Sequence, residues 1–230
     1  MYATWTALEL TAPSRKCPWS PEGATFVQAG HAGPGVADLP DFSGTWWSVL
    51  ALWVDAEVAR AAAPRASRAI CAAWHVTLEP VSYRGDAELS GGARPFESLP
   101  PRGKVQGAAA VITLAGAGPD PERTGEFLER FADLGRRVRQ APGHRASMVQ
   151  AADEGAALTF SAWETLRHAV TWAYHGPGDH AATVRRHEQH ALLAHTGFLR
   201  CAVVATSGAL HGNDPLAGLS GTPIHHQENS

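Results

Sequence analysis

Residues 144–174 read HRASMVQAADEGAALTFSAWETLRHAVTWAY. Two short runs, His144–Ala152 and Ala156–Ser161, alternate as strands do, and Asp153, Glu154 and Gly155 between them form a turn. Ala162–Tyr174 then changes to helical spacing. Two further strands are read around this stretch, Gln106–Ala115 (QGAAAVITLA) upstream and Phe198–Ser207 (FLRCAVVATS) downstream. A helix opened by Pro119 and Pro121 and running to Arg139 joins the upstream strand to the pair. Its Phe127, Phe131, Leu134 and Val138 recur every three or four residues, and Pro142 and Gly143 end it. Gly176, Pro177 and Gly178 break the second helix. Asp179 caps its continuation, His180 to His195, which Gly197 stops. The order is β-α-β-β-α-β with the last helix in two pieces.

That order is the ferredoxin-like split βαβ unit. The first half gives a less regular β-α-β-α-β. Tyr2–Leu10 reads as a strand and Thr25–Ala29 as a short helix. Gly44–Val54 (GTWWSVLALWV) reads as a buried strand, with Asp55 capping a helix over Ala56–Ala63 that Pro64 stops. Ala66–Ala73 reads as a second helical stretch, and Trp74–Tyr83 as a strand in which Pro80 marks an edge or a bulge. The expected fold is α+β. Two ferredoxin-like halves, residues 1–104 and 105–210, pack sheet to sheet as a dimeric-α/β-barrel-type fold, and the tail to residue 230 is loosely held.

Composition narrows the function. Of 230 residues, 19 are Lys or Arg and 22 Asp or Glu, a net charge of -3, so the chain lacks the basic excess that phosphate binding needs. Hydrophobic residues make up 44%, enough for a sizeable core. No apolar run reaches the roughly 18 residues of a membrane span, and the start MYATWTALELTAPSRK has no basic region ahead of an apolar one, so no secretory signal is expected. Cys17, Cys71 and Cys201 are far apart and form no CxxC pair, which fits a reducing cytoplasm and argues against a disulfide framework. Twelve histidines point toward metal or haem chemistry.

On the helix from His180, the residues His180, Val184, His187 and Ala191 share one stripe at about 100° per residue, with Arg185, Arg186, Gln189 and His190 opposite. Two histidines therefore point where apolar residues point. They are either core imidazoles bonded to backbone carbonyls or ligands of a metal or haem. Seven residues is roughly 10 Å along a helix, so both cannot bind one iron from the same side. One ligand and one substrate-facing group is the workable division. HEQH at 187–190 falls one residue short of HExxH, which leaves a zinc hydrolase as a minor reading. His225 and His226 read as solvated, and Cys71 or Cys201 as haem thiolate sits in too apolar a context. The loop Arg84–Gly103 holds Arg84, Arg94 and Phe96 among glycines. It reads as a surface loop or as an anion-binding loop over a pocket mouth. Trp46, Trp47, Trp53, Trp74, Trp163 and Trp172 are core residues by default; lining one cavity, they would suit a flat apolar ligand such as a porphyrin.

Several stretches together carry a resemblance: GHAGPGVADLPDFSGTWWSVLALWVDAEVARAA (30–62), WHVTLEPVSYRGDAELSGGARPF (74–96), the AAVITLAG strand with its helix (109–139), LTFSAWETLRHAVTWAY (158–174) and GDHAATVRRH (178–187). In order and character they resemble the spheroidene monooxygenase-like family, over residues 25–195. The resemblance implies haem b, with iron held by the histidine that opens the last helix, here His180. Arg84 and Phe96 match the family's loop. The chain departs from the family at HEQHALLAHTGF and at Glu88–Gly92. The implied protein is a cytoplasmic haem-dependent oxygenase acting on an apolar small molecule in specialised metabolism. Beyond His180 the roles are inferred from the residues and not from the resemblance: Arg84 or Arg94 would pair the propionates within an apolar barrel, Phe96 would lie at the cofactor, and His187 and Arg84 would serve catalysis. Haem-assisted dehydration of the aldoxime dehydratase kind is the alternative. So is a cofactor-free α/β-barrel monooxygenase or small-molecule-binding protein that uses His180 and His187 as base or hydrogen-bond partners. A homodimer is compatible with each.

Overall fold

Apolar residues at alternate strand positions converge on one interior. The computed structural model describes residues 1–33, 44–117, 134–151, 156–175 and 193–224. Its strands are β1 (Tyr2–Leu10), β2 (Phe26–Gly33), β3 (Trp46–Trp53), β4 (Ile70–Gly85), β5 (Lys104–Gly107), β6 (Ala109–Ala117), β7 (His144–Ala151), β8 (Ala156–Trp163), β9 (Leu193–Gly208) and β10 (Gly221–Ile224). Its helices are α1 (Ala56–Ala61) and α2 (Leu166–His175), and residues 134–138 are also helical.

Eight of these strands close a barrel in the order β1-β3-β2-β7-β8-β6-β9-β4. The first half contributes β4-β1-β3-β2 and the second β9-β6-β8-β7. Each is the 4-1-3-2 order of a ferredoxin-like sheet, and every pairing is antiparallel. The fold is α+β, with two ferredoxin-like halves in one chain. The sheets face one another and are also hydrogen-bonded along both edges, β2 to β7 and β4 to β9.

The β2–β7 seam is the short one, pairing only His31, Ala32 and Gly33 with Ala151, Gln150 and Val149. Beyond it Gln150 Nε2 bridges the strands, donating to the carbonyls of Ser48 (2.7 Å) and Gln28 (3.3 Å). Gly30 makes this approach feasible, because a Cβ there would stand 2.1 Å from the Ala151 carbonyl oxygen and 2.7 Å from Gln150 Cγ.

The barrel interior is filled. Trp5, Leu50, Trp74, Leu78, Ile112, Met148, Phe160, Leu199 and Cys201 all point inward and are buried. Side chains from the flanking segments plug both ends. At one end Phe96 lies 5.8 Å from the Tyr83 ring, the Tyr83 hydroxyl donates to the Ala87 carbonyl (3.0 Å), and the Ser90 amide donates to Gln28 Oε1 (3.0 Å). At the other, Asp214 accepts from Trp74 Nε1 (2.9 Å), the Leu216 amide (3.0 Å) and Thr206 Oγ1 (2.5 Å), while Leu210 and Leu216 are buried against the core.

Several expectations are corrected. Thr25–Ala29 is not a helix: Phe26 opens β2, whose Gln28, Gly30 and Ala32 face inward at strand spacing. Ala66–Ala73 is not a helix either. Ser67 Oγ accepts from the amides of Ala69 and Ile70 (both 3.2 Å), and this turn launches β4 at Ile70. The first half therefore runs β-β-β-α-β among its described residues. Ala162 and Trp163 stay in β8, and α2 begins at Leu166 behind Thr165, whose Oγ1 accepts from the His168 amide (3.2 Å). The last strand starts at Leu193, earlier than Phe198, because it pairs with Ala117 of β6. The tail is not loosely held as far as residue 224, since β10 pairs with β5 from Gly221 to Ile224. Pro80 does mark a bulge, with the β4–β9 register shifting between Pro80 and Ser82. The helix over Ala56–Ala61 is capped by Asp55, which accepts from the amides of Glu57 (2.8 Å) and Val58 (3.0 Å). Most of the 119–139 helix, the turn at 153–155 and the helix from His180 lie outside the described residues.

Candidate functional site

With the interior full, function has to be sought on the outer faces. The two halves share an internal correspondence. Trp53 and Trp163 close β3 and β8, and Asp55 and Thr165 cap the helices that follow. Aligned on these tryptophans, Thr4 corresponds to Val111, Thr6 to Thr113, Ala51 to Ser161, His75 to Phe198 and Thr77 to Arg200.

In the first half this outer row is sealed: Thr4, Thr6, Ala51, His75 and Thr77 are all buried. Its polar groups are paired. Trp53 Nε1 donates to Thr4 Oγ1 (3.1 Å), and His75 sits between Thr6 Oγ1 (2.7 Å) and the Ala59 carbonyl (2.9 Å). The carbonyl can only accept, so His75 Nε2 carries a proton and Nδ1 accepts from Thr6 in the neutral ring. Burial depresses the His75 pKa, against the Ala59 bond that raises it, which fits that neutral form.

The second half differs. Val111, Thr113, Thr159, Ser161, Phe198 and Arg200 are each only half-buried. They form two cross-strand rows, Ser161–Val111–Arg200 and Thr159–Thr113–Phe198, and the second row continues to Arg84 of β4. Four strands at the usual spacing make this patch roughly 14 Å wide, and the rows stand about 7 Å apart. One side is walled by α2 and by the helical residues 134–138. Val138, Trp163, Leu166 and Ala169 are buried together there, and the Trp163 and Trp172 rings lie 5.9 Å apart. Trp163 Nε1 donates to Ser161 Oγ (3.0 Å), which fixes the wall against the patch.

His144 stands edge-on to Trp163 at 5.2 Å, with Nε2 buried and unpaired. Burial lowers its pKa to about 4, with help from the Arg139 charge and against a backbone bond to Ala146. The imidazole is therefore neutral at physiological pH. Sequence reasoning treated His144 only as a strand start; its position opposite Trp163 is a register fact.

The residues singled out in the sequence are distributed as follows. Arg84 is exposed at the edge of the patch, in register with Phe198. Beside it Asp86 accepts from the Thr196 amide (3.2 Å) and meets His195 Nδ1 at 3.3 Å. Burial pushes the Asp86 pKa up, but the His195 and Thr196 bonds outweigh it and the net shift is downward. Arg94 is exposed and bound by Glu88 (2.8 and 2.5 Å) and Glu97 (3.1 Å). Phe96 belongs to the plug at the barrel end, so the structure does not bring it to the same surface as Arg84. His180 and His187 lie outside the described residues, in the segment joining α2 to β9. Cys201 faces the interior, where burial pushes its thiol pKa up, so it is no thiolate ligand. Arg200, which lines the patch, was missed: in sequence it is one arginine within an apolar strand. The expectation that the barrel itself encloses a flat ligand is overturned by the packed interior. Among the described residues no three His, Cys, Asp or Glu side chains gather to hold a metal ion, and no helix is long and apolar enough to cross a membrane.

No family model matches the chain. The chain is similar to spheroidene monooxygenase. The enzyme of that name from Cereibacter sphaeroides is 25% identical over 225 residues, which cover 92% of this chain and 65% of that protein. The chain thus spans just under two thirds of the length of this curated relative. Among solved structures, aldoxime dehydratase in complex with butyraldoxime is 9% identical, with a TM-score of 0.51 over 97% of this chain and 82% of that one. A second aldoxime dehydratase structure is 10% identical, with a TM-score of 0.48 over 97% and 84%. An anthrone oxidase-like protein is 15% identical, with a TM-score of 0.35 over 90% and 93%. At 9% identity the aldoxime dehydratase likeness concerns the barrel fold, while the spheroidene monooxygenase likeness is one of sequence.

Proposed function

We propose that the chain is a haem-dependent enzyme of the monooxygenase type that binds haem b on the outer face of its second half and acts on an apolar small molecule. The observation that carries this reading is the difference between the halves: equivalent rows are sealed in one and half-open in the other. The open row brings together what a porphyrin needs, a flat apolar surface and unpaired cations for its carboxylates. The donor set fits the group, with Val111 and Phe198 offering apolar surface and Arg84 and Arg200 offering charge. His180 would hold the iron, and His187 would face the substrate. Haem supplies redox chemistry at its iron when bound.

The protein's own contribution is to bind, orient and exclude water. Thr113, Thr159 and Ser161 provide hydroxyls across the floor, and the Trp163–Trp172 wall shields one flank from solvent. The imidazole that holds the iron needs a carbonyl or carboxylate partner on its other nitrogen to fix its orientation. The fold likeness to aldoxime dehydratase supports a second reaction on the same face, dehydration of an aldoxime. The polarity of the open side of the cofactor chooses between the two.

The test is an absorption spectrum of protein expressed with a haem precursor. A Soret band that His180→Ala abolishes is the expected result. A colourless protein that ignores added haemin overturns the reading. If that protein binds a phenolic compound instead, it is a cofactor-free barrel protein.

A further inference from the structure

Arg200 occupies an unusual position. It lies mid-strand on β9, half-buried, with Leu199 and Cys201 on either side pointing into the core. Its cross-strand neighbours are Val111 and Ser82, and the next outward residue along β9 is Phe198. The equivalent residue in the first half is Thr77, which is buried. A charge has taken the place of a small hydroxyl at matching points of two similar sheets.

Arg60 pairs with Glu57, Arg94 with Glu88 and Glu97, and Arg145 with Glu164, all three being largely exposed pairs. Arg200 has no carboxylate partner among the described residues, and neither has Arg84. The nearby Asp86 is engaged by His195 and the Thr196 amide. A half-buried guanidinium without a counter-charge is unfavourable unless something supplies one. Arg84 is in register with Phe198 and Arg200 is two residues further along β9, so the two arginines are diagonal neighbours about 7–8 Å apart. Phe198 lies between Arg200 and Arg84 on the same face.

We propose that Arg84 and Arg200 form a carboxylate-reading pair at the rim of this face, which takes the acid end of a flat or chain-like apolar ligand and lays its body over Phe198 and Val111. This rests on the preceding reading that the face holds a ligand, and it adds which edge of the ligand is held and by what. The carboxylate belongs either to a cofactor or to a substrate.

The experiment titrates the full chain with three probes: haemin, haemin dimethyl ester, which has no free acid, and parinarate, a polyene carboxylate. The proteins are wild type, Arg200→Gln, Arg84→Gln/Arg200→Gln, Arg200→Lys, and Arg65→Gln as a control remote from this face. Tm is recorded for each. Haemin or parinarate affinity is expected to fall about tenfold or more in the double variant. The ester should change less than twofold, Arg200→Lys should recover part of the loss, and Tm should not fall. Arginine-dependent binding of haemin assigns the carboxylate to the cofactor. Arginine-dependent binding of parinarate without haemin binding removes the haem reading and keeps the pair. Haemin binding that ignores the arginines keeps the haem reading and overturns the pair. Equal losses for acid and ester, or no binding of either acid by wild type, also overturn the pair.

Discussion

The rings of Trp5 and Phe160 stack at 5.2 Å with 19° between their planes, although β1 and β8 stand on opposite sides of the barrel, four strands apart in either direction. The Trp74 ring meets Phe160 edge-on at 5.8 Å. Aromatic rings from three strands thus meet across the barrel and leave no room for a macrocycle there. Phe160→Ala is expected to cost about 3–5 kcal/mol, measured as a lower urea midpoint with an unchanged slope. Phe160→Leu should cost less and leave haemin titration unaltered. A spectral shift of bound haem in Phe160→Leu would place the ligand inside after all.

Asp214 ties the chain beyond β9 to the barrel by accepting from Trp74 Nε1, Thr206 Oγ1 and the Leu216 amide. Asp214→Ala leaves a buried indole donor unpaired, and a loss of about 2 kcal/mol or more is expected. Tryptophan emission should shift, and limited proteolysis should cut within residues 209–220 before the barrel is attacked. Cleavage indistinguishable from wild type would show that the plug holds by apolar contacts alone.

Gly30 sits where β2, β7 and the Gln150 side chain converge. An alanine Cβ would press on the Ala151 carbonyl at 2.1 Å, and this contact is with backbone, which cannot turn aside. Gly30→Ala is expected to destabilise by about 1–3 kcal/mol and to raise amide exchange at Ala32 and Val149 ahead of the β4–β9 edge. Uniform exchange along both edges would contradict a weak seam at β2–β7.

The His144 pKa falls from 6.5 to about 4 in the folded protein, with burial the largest cause. A base with a depressed folded pKa binds more protons when unfolded. Its contribution is therefore intact above about pH 6.5 and is lost as pH falls toward 4. His75, whose pKa is also lowered, acts in the same direction. The urea midpoint should decline through that window, and His144→Phe should flatten the decline. An unchanged pH profile in His144→Phe would assign the acid sensitivity elsewhere.

Much of the architecture was legible. Tyr2–Leu10, the apolar run ending at Trp53, the Asp55 cap and the paired strands β7 and β8 carry local signals of alternation and capping. They led to paired ferredoxin-like halves. The misreadings have local causes. Ala66–Ala73 is rich in alanine, which favours a helix, and Thr25–Ala29 is too short for its period to separate helix from strand; ladder pairing with β1 and β3 decides both. Trp163 was placed in a helix because nothing in SAWET marks where a strand passes into a helix cap.

Sequence alone determined the order of the second half's four barrel strands, the presence of an apolar core and the two-half plan, because these follow from periodicity within ten or so residues. Only the tertiary structure decided which side of each strand became interior, that aromatic rings fill the barrel, and that Arg84 and Arg200 come to flank Phe198. Those facts depend on strand register between residues more than a hundred positions apart. A one-residue shift in register would send every side chain to the opposite face, and no local pattern records it.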